Sequence, residues 1–89
     1  MNTNKFIISK HAKEQINLRN ISEDLVLSIL SNPDSIFIDS NGLMVIQKVV
    51  IEGNKPYLYR VFVNNEKQPP MVVTAYKTSK MFKYENKIR

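Results

Sequence analysis

Ser35-Ile36-Phe37-Ile38-Asp39-Ser40-Asn41-Gly42-Leu43-Met44-Val45-Ile46-Gln47-Lys48-Val49-Val50-Ile51 is the stretch that decides the fold. Its pattern has a period of two, so Ser35 to Ile38 reads as one strand and Leu43 to Ile51 as a longer return strand. Asn41-Gly42 between them is the strongest hairpin signal in the chain. Both central positions of a type I′ turn need positive φ, which Asn and Gly tolerate best. The meander continues downstream. Glu52 to Pro56 is a turn around Gly53-Asn54, Tyr57 to Val63 a third strand, Asn64 to Pro70 a polar loop, and Met71 to Tyr76 a fourth strand.

Upstream of the hairpin the spacing becomes helical. Phe6-Ile7-Ile8 is a short apolar run, a first strand or a lead-in. Ser9 is placed to cap a helix over residues 10–20, with Ala12 and Ile16 facing the core at i, i+4. Asn20 ends it, because Asn tolerates the left-handed conformation of a helix terminus. Ser22 caps a second helix. Glu23 and Asp24 favour the positive end of its dipole, and Ile21 can staple to Val26 across the cap. Leu25, Val26, Ile29 and Leu30 form its buried stripe, and Asn32-Pro33-Asp34 stops it. The expected class is α+β, with helices packed on one face of an antiparallel sheet.

The chain of 89 residues makes a single domain, 1–89, with a basic segment from about 77. With no cysteine it has no disulfide and no thiolate, and His11, its sole histidine, leaves no zinc-binding set of the usual kind. No apolar run is long enough to span a bilayer, and the N-terminus lacks a signal-peptide core. The chain is therefore read as a cytoplasmic domain with no membrane partner, no metal and no cofactor. Thirteen Lys and Arg against eight acids give a formal net charge of +5, which suggests a polyanionic partner. The charge is uneven. Both ends are basic, whereas residues 22–41 carry Glu23, Asp24, Asp34 and Asp39 with no Lys or Arg.

No phosphate loop, metalloprotease motif or nucleophile elbow is present. The candidates are polar residues in strand-like or cap-like settings. Arg60 shares a strand face with Leu58 and Phe62, a costly position for a guanidinium unless it pairs with an acid or grips a ligand phosphate. Tyr76-Lys77-Thr78-Ser79-Lys80 leaves the end of a strand with two lysines, two hydroxyls and a phenol, a set suited to phosphates. The phenol can also donate a proton or stack on a base. A polar strand exit would look the same. His11 is of the residue type suited to proton transfer and sits in the first turn of a helix, where an anion is favoured, although it also suits an ordinary surface. Lys48 is a further cation on the long strand, or a solvated lysine.

Taken in order, Ser9-Lys10-His11-Ala12, Arg19, Ile21-Ser22, Asn32-Pro33, Arg60 and Thr74-Ala75-Tyr76-Lys77-Thr78-Ser79-Lys80 resemble a family of small bacterial domains of unknown function related to RelE/ParE/BrnT-type toxins. The resemblance spans about residues 6–84. It implies a RelE-like fold, with two N-terminal helices packed on a curved, mostly antiparallel sheet of about four strands. It also implies a type II toxin–antitoxin setting with a cognate antitoxin as partner. Asn20 departs from the pattern, where such sequences often have glycine. RelE-like relatives cleave messenger RNA, often on the ribosome, whereas ParE-like relatives inhibit gyrase.

The leading expectation is a metal-independent endoribonuclease in which the substrate's 2′-hydroxyl attacks. His11 is the candidate base or acid, and Tyr76 the other proton donor or a stacking platform. Arg60 and Lys80 are expected at the crowded phosphate, and Arg19, Lys48, Lys77, Thr78 and Ser79 at flanking phosphates. The alternatives are a protein-binding inhibitor and a non-catalytic RNA-binding module. A monomer or weak dimer suits all of them.

Overall fold

The computed structural model describes residues 6–80. The element order is β1 (Ile7–Ile8), α1 (Lys10–Leu18), α2 (Glu23–Ser31), β2 (Ser35–Ile38), β3 (Met44–Glu52), β4 (Lys55–Asn64) and β5 (Met71–Thr78). Both helices start where a serine can cap them. Ser9 Oγ accepts from the Ala12 N–H at 3.0 Å and Ser22 Oγ from the Leu25 N–H at 3.1 Å. Each such cap stabilises by about 1 kcal/mol. Asn20, at φ 58°, ends α1. The Ile21 N–H bonds back to the Ile16 carbonyl and the Asn20 N–H to Asn17. That paired pattern is a Schellman cap, and it brings two buried isoleucines, Ile16 and Ile21, together.

The sheet corrects the expected architecture. It has five strands in the order β1-β5-β4-β3-β2, and β1 runs parallel to β5, so the sheet is mixed rather than a four-stranded antiparallel meander. The helices are not the N-terminal layer that the expectation put first, since they follow β1. The physical reason is the brevity of β1. Two residues carry no period, and their pairing of Ile7 with Met71 and Ile8 with Val72 spans the chain from end to end.

Both helices cover one face of the sheet. The core joins Ala12 and Ile16 of α1 with Val26, Ile29 and Leu30 of α2, above Ile46, Tyr59, Val61, Val63, Val72 and Ala75. Val72 and Ala75 differ in parity along β5, yet both point inward. A bulge explains this: Phe62 pairs with Thr74 but Val63 with Val72, leaving Val73 as the extra residue. Among the described residues no helix is long and apolar enough to cross a membrane.

Turn chemistry also differs from the expectation in one place. The type I′ geometry belongs to Gly53 and Asn54, at φ 57° and 68°, which join the paired Glu52 and Lys55. At Asn41-Gly42 only Gly42 has positive φ, 83°. There the Gly42 N–H bonds to the Asp39 carbonyl and the Asp39 N–H to Leu43, closing a three-residue loop. Asp39 Oδ1 holds it by accepting from the N–H groups of Asn41 and Leu43.

Candidate functional site

Cross-strand partners in a sheet project from the same face. The registers pair Ser35 with Gln47, Gln47 with Arg60 and Arg60 with Tyr76. These four polar residues therefore form one row across β2, β3, β4 and β5. The row lies on the face away from the helices, because the neighbouring Ile46, Tyr59, Val61 and Ala75 point into the core beneath them.

The row is hydrogen-bonded end to end. Gln47 Nε2 donates to Ser35 Oγ at 3.3 Å, Arg60 Nε donates to Gln47 Oε1 at 2.6 Å, and Arg60 Nη1 donates to the Tyr76 hydroxyl at 2.8 Å. Gln47 is fully buried, and it is the only buried polar side chain among the described residues. Its carbonyl oxygen has a defined purpose there, since it accepts a charge-assisted bond that fixes the plane of the guanidinium. Aromatic rings surround the cation. The Arg60 guanidinium carbon lies 5.9 Å from the Phe37 ring centre, 5.5 Å from Phe62 and 5.9 Å from Tyr76. Phe62 and Tyr76 stack at 5.8 Å with an interplanar angle of 28°. The result is a half-buried guanidinium held by an amide and a phenol within an aromatic frame.

The sequence candidates do not form one group. Arg60, Tyr76 and Thr78 share the face away from α1 and α2, as the pairing of Thr78 with Leu58 continues the alternation. Ser79 and Lys80 leave the end of β5 exposed, and Thr78 Oγ1 accepts from the Lys80 N–H at 3.0 Å. His11 is exposed on α1, across the sheet from Arg60, so the expected union of His11 with Arg60 and Tyr76 is not formed. Arg19 wraps the margin of β5 beyond the end of β1. Its Nη1 donates to Ala75 O at 2.9 Å and to Thr74 Oγ1 at 3.3 Å, which covers an open strand edge.

Lys48 and Lys77 face the helix side and serve ion pairs. Lys48 Nζ lies 3.6 Å from Asp34 Oδ1, and Lys77 Nζ 2.8 Å from Glu52 Oε1. Glu52 also accepts from the phenol of Tyr59, and the Lys77 ammonium lies 4.6 Å from the centre of the Tyr57 ring. The hydrogen bond from Lys77, then that from Tyr59, lowers the Glu52 pKa below its ordinary value. The same carboxylate raises that of Lys77. Burial first, then the bond to Glu52, pushes the Tyr59 phenol up. Each of these shifts favours the paired state, so the cluster fastens the far ends of β3, β4 and β5 together. A depression of about 420 Å³ between the helices, lined by Lys13, Glu14, Ile16, Asn17, Ile21, Ser22 and Glu23, contains none of the candidates.

Gln47 and Ser35 of the row, and Phe37 of the aromatic frame, are the residues that the sequence reading missed. A glutamine inside Val45-Ile46-Gln47-Lys48-Val49 was the available signal, of the same kind as Arg60 in its own strand.

Residues 8–77 match the model of DUF4258, a domain of unknown function, and the chain belongs to that family. No curated protein and no solved structure matches the chain.

Proposed function

We propose that this DUF4258 domain is the toxin of a toxin–antitoxin pair and that it cleaves messenger RNA on the face of its sheet away from α1 and α2, without a metal ion. The observation that supports this reading best is the coupling of a guanidinium to a phenol, Arg60 Nη1 to the Tyr76 hydroxyl at 2.8 Å. Cleavage of an RNA phosphodiester by its own 2′-hydroxyl needs two things from a protein: positive charge on the phosphate and a proton for the leaving oxygen. Arg60 supplies the first. Tyr76, whose oxygen accepts from Arg60, supplies the second through its phenolic O–H.

In the reaction, the 2′-oxygen bonds to the adjacent phosphorus as the bond to the next nucleotide's 5′-oxygen breaks. The 2′-hydroxyl proton passes to solvent. Tyr76 protonates the departing 5′-oxygen and regains its proton from water. The products end in a 2′,3′-cyclic phosphate and a 5′-hydroxyl. Phe37 and Phe62 flank the cation where nucleobases of a single strand would stack, and Thr78, Ser79 and Lys80 serve flanking phosphates. His11 takes no step in this scheme, because it lies on the other side of the sheet. Kinship to RelE/ParE/BrnT-type toxins and a cognate antitoxin belong to the same proposal and rest on the sequence resemblance. The reading puts the site of action in the cytoplasm, on free or ribosome-bound message.

The test is RNA cleavage in EDTA by the purified domain, with and without ribosomes. Wild type and His11→Ala should give cyclic-phosphate ends, and Arg60→Ala should give none. Tyr76→Phe should be slower by roughly 10²–10⁴-fold, the usual contribution of a positioned proton donor. Intact RNA with wild type under both conditions would overturn the reading in favour of a protein-binding inhibitor, with gyrase binding the next measurement.

A further inference from the structure

The outer margin of the sheet at β2 has the features of a receptor for an added strand. Among the described residues β2 pairs only with β3, and it is last in the strand order. The bond from the Asp39 N–H to the Leu43 carbonyl fixes the alternation of its backbone. Phe37 and Ser35 therefore turn their N–H and C=O groups toward β3, while Ile36 and Ile38 turn theirs outward. The side chains of those same two residues are exposed, at 54% and 61%, beside Ile46 and Met44 on the helix side of the sheet. Outward backbone groups and exposed aliphatic side chains thus coincide.

Edge strands that avoid pairing carry a lysine, a proline or an inward-pointing charge. Ser35-Ile36-Phe37-Ile38 has none of these. Charge enters only at its two ends, where Asp34 and Asp39 bracket it. Both aspartates are fixed in place, Asp34 Oδ2 by the Val49 N–H at 2.8 Å and Asp39 Oδ1 by its loop. Residues 22–41 contain no Lys or Arg. Lys48 lies 3.6 Å from Asp34 and offsets it in part. A second copy of the chain pairing here would set its own Asp34 and Asp39 beside these acids, so the charge disfavours self-association.

We propose that the β2 edge binds an extended basic segment of another protein, with aliphatic residues alternating with Lys or Arg. The segment would join as a further strand. Its aliphatic side chains cover Ile36 and Ile38, and its cations meet Asp34 and Asp39.

The test uses two synthetic peptides, one alternating valine with lysine and one alternating valine with glutamate, titrated into the full chain and followed by backbone amide NMR. The valine–lysine peptide should shift the Ile36 and Ile38 amides and slow their hydrogen exchange. The valine–glutamate peptide should not. The Ile36→Lys/Ile38→Lys double variant, changed only at exposed positions, should keep the wild-type spectrum elsewhere and bind the valine–lysine peptide roughly tenfold more weakly. Unprotected Ile36 and Ile38 amides at saturating valine–lysine peptide would overturn the proposal, as would equal binding of the two peptides or unchanged binding by the variant. Wild-type self-association abolished by the double variant would assign the edge to a second copy instead. None of these readouts involves RNA, so their outcome is independent of the ribonuclease reading.

Discussion

Replacing Gln47 by leucine tests whether the polar row is a connected structure. Leucine has nearly the same volume, so the change removes hydrogen bonds without opening a cavity. The bonds lost include the one from Arg60 Nε at 2.6 Å and the one to Ser35 Oγ at 3.3 Å. A bond from a charged donor to a buried acceptor contributes about 1.5–3 kcal/mol. The longer neutral bond adds about 0.5 kcal/mol, and the gain from an apolar side chain at a buried position offsets about 1 kcal/mol. The net destabilisation is about 2 kcal/mol, equivalent to a Tm lower by about 8–16 °C in a domain of this size. The assay is urea unfolding of wild type, Gln47→Leu, Arg60→Met and the double variant. With both apolar, neither member of the Gln47–Arg60 pair is left facing an absent partner, so the double variant should be more stable than the sum of the single changes predicts, by about 1.5–3 kcal/mol. A single-variant loss below about 0.5 kcal/mol, or simple additivity, would refute the connection.

The Glu52–Lys77–Tyr59 cluster predicts a pH dependence of stability with a definite sign at each end. The Glu52 pKa is lowered on folding, so its contribution is complete above its ordinary value of 4.5 and is lost as pH falls through the folded value. That of Lys77 is raised, so its contribution is complete below 10.5 and is lost as pH rises through the folded value. Urea unfolding across pH should show Glu52→Gln weakening stability at neutral pH and flattening the acid limb. Arg19→Ala should lower stability by about 1 kcal/mol through loss of its bonds to Ala75 O and Thr74 Oγ1, and should speed amide exchange along the margin of β5 in NMR. Asn20→Gly should be neutral within a few tenths of a kcal/mol in thermal unfolding, whereas Asn20→Ala should destabilise by about 1 kcal/mol, because φ 58° suits glycine and not alanine.

The helices were legible because their signals are local. Ser9 and Ser22, the i, i+4 spacing of Ala12 and Ile16, and the Asn20 terminus each act within a few residues, and the structure uses every one of them. β1 was not legible as part of the sheet. Its two residues have no pattern, and their partners Met71 and Val72 lie at the other end of the chain. The bulge at Val73 was hidden for a related reason. An alternating reading of β5 places Val72 and Ala75 on opposite faces, and only the core packed above the sheet decides that both go inward.

The site shows why a single turn type can govern what a sequence reveals. A two-residue turn at Asn41-Gly42 would set Gln47 opposite Ile36, a pairing with no chemistry in it. The three-residue loop shifts the register by one, and Gln47 comes to face Ser35 on one side and Arg60 on the other. A one-residue slip exchanges the faces of a whole strand relative to its partner, so the polar row exists only in the observed register. Asp39 is what selects it. Its side chain accepts from Asn41 and Leu43, and its carbonyl from Gly42, which stabilises the longer loop over the type I′ alternative. The position of Arg60 in an apolar strand was visible from the start; its partners Gln47 and Tyr76 come from the β3–β4 and β4–β5 registers, and the loop adds Ser35 at the end of the row. Asp39→Ala should therefore reach Arg60 through Ser35 and Gln47. The chemical shift of the Arg60 Nε–H, followed by NMR, should change in Asp39→Ala even though the two side chains belong to different parts of the fold. An unchanged shift would mean that the β3–β4 pairing and the Gln47–Arg60 bond hold the row without help from the turn.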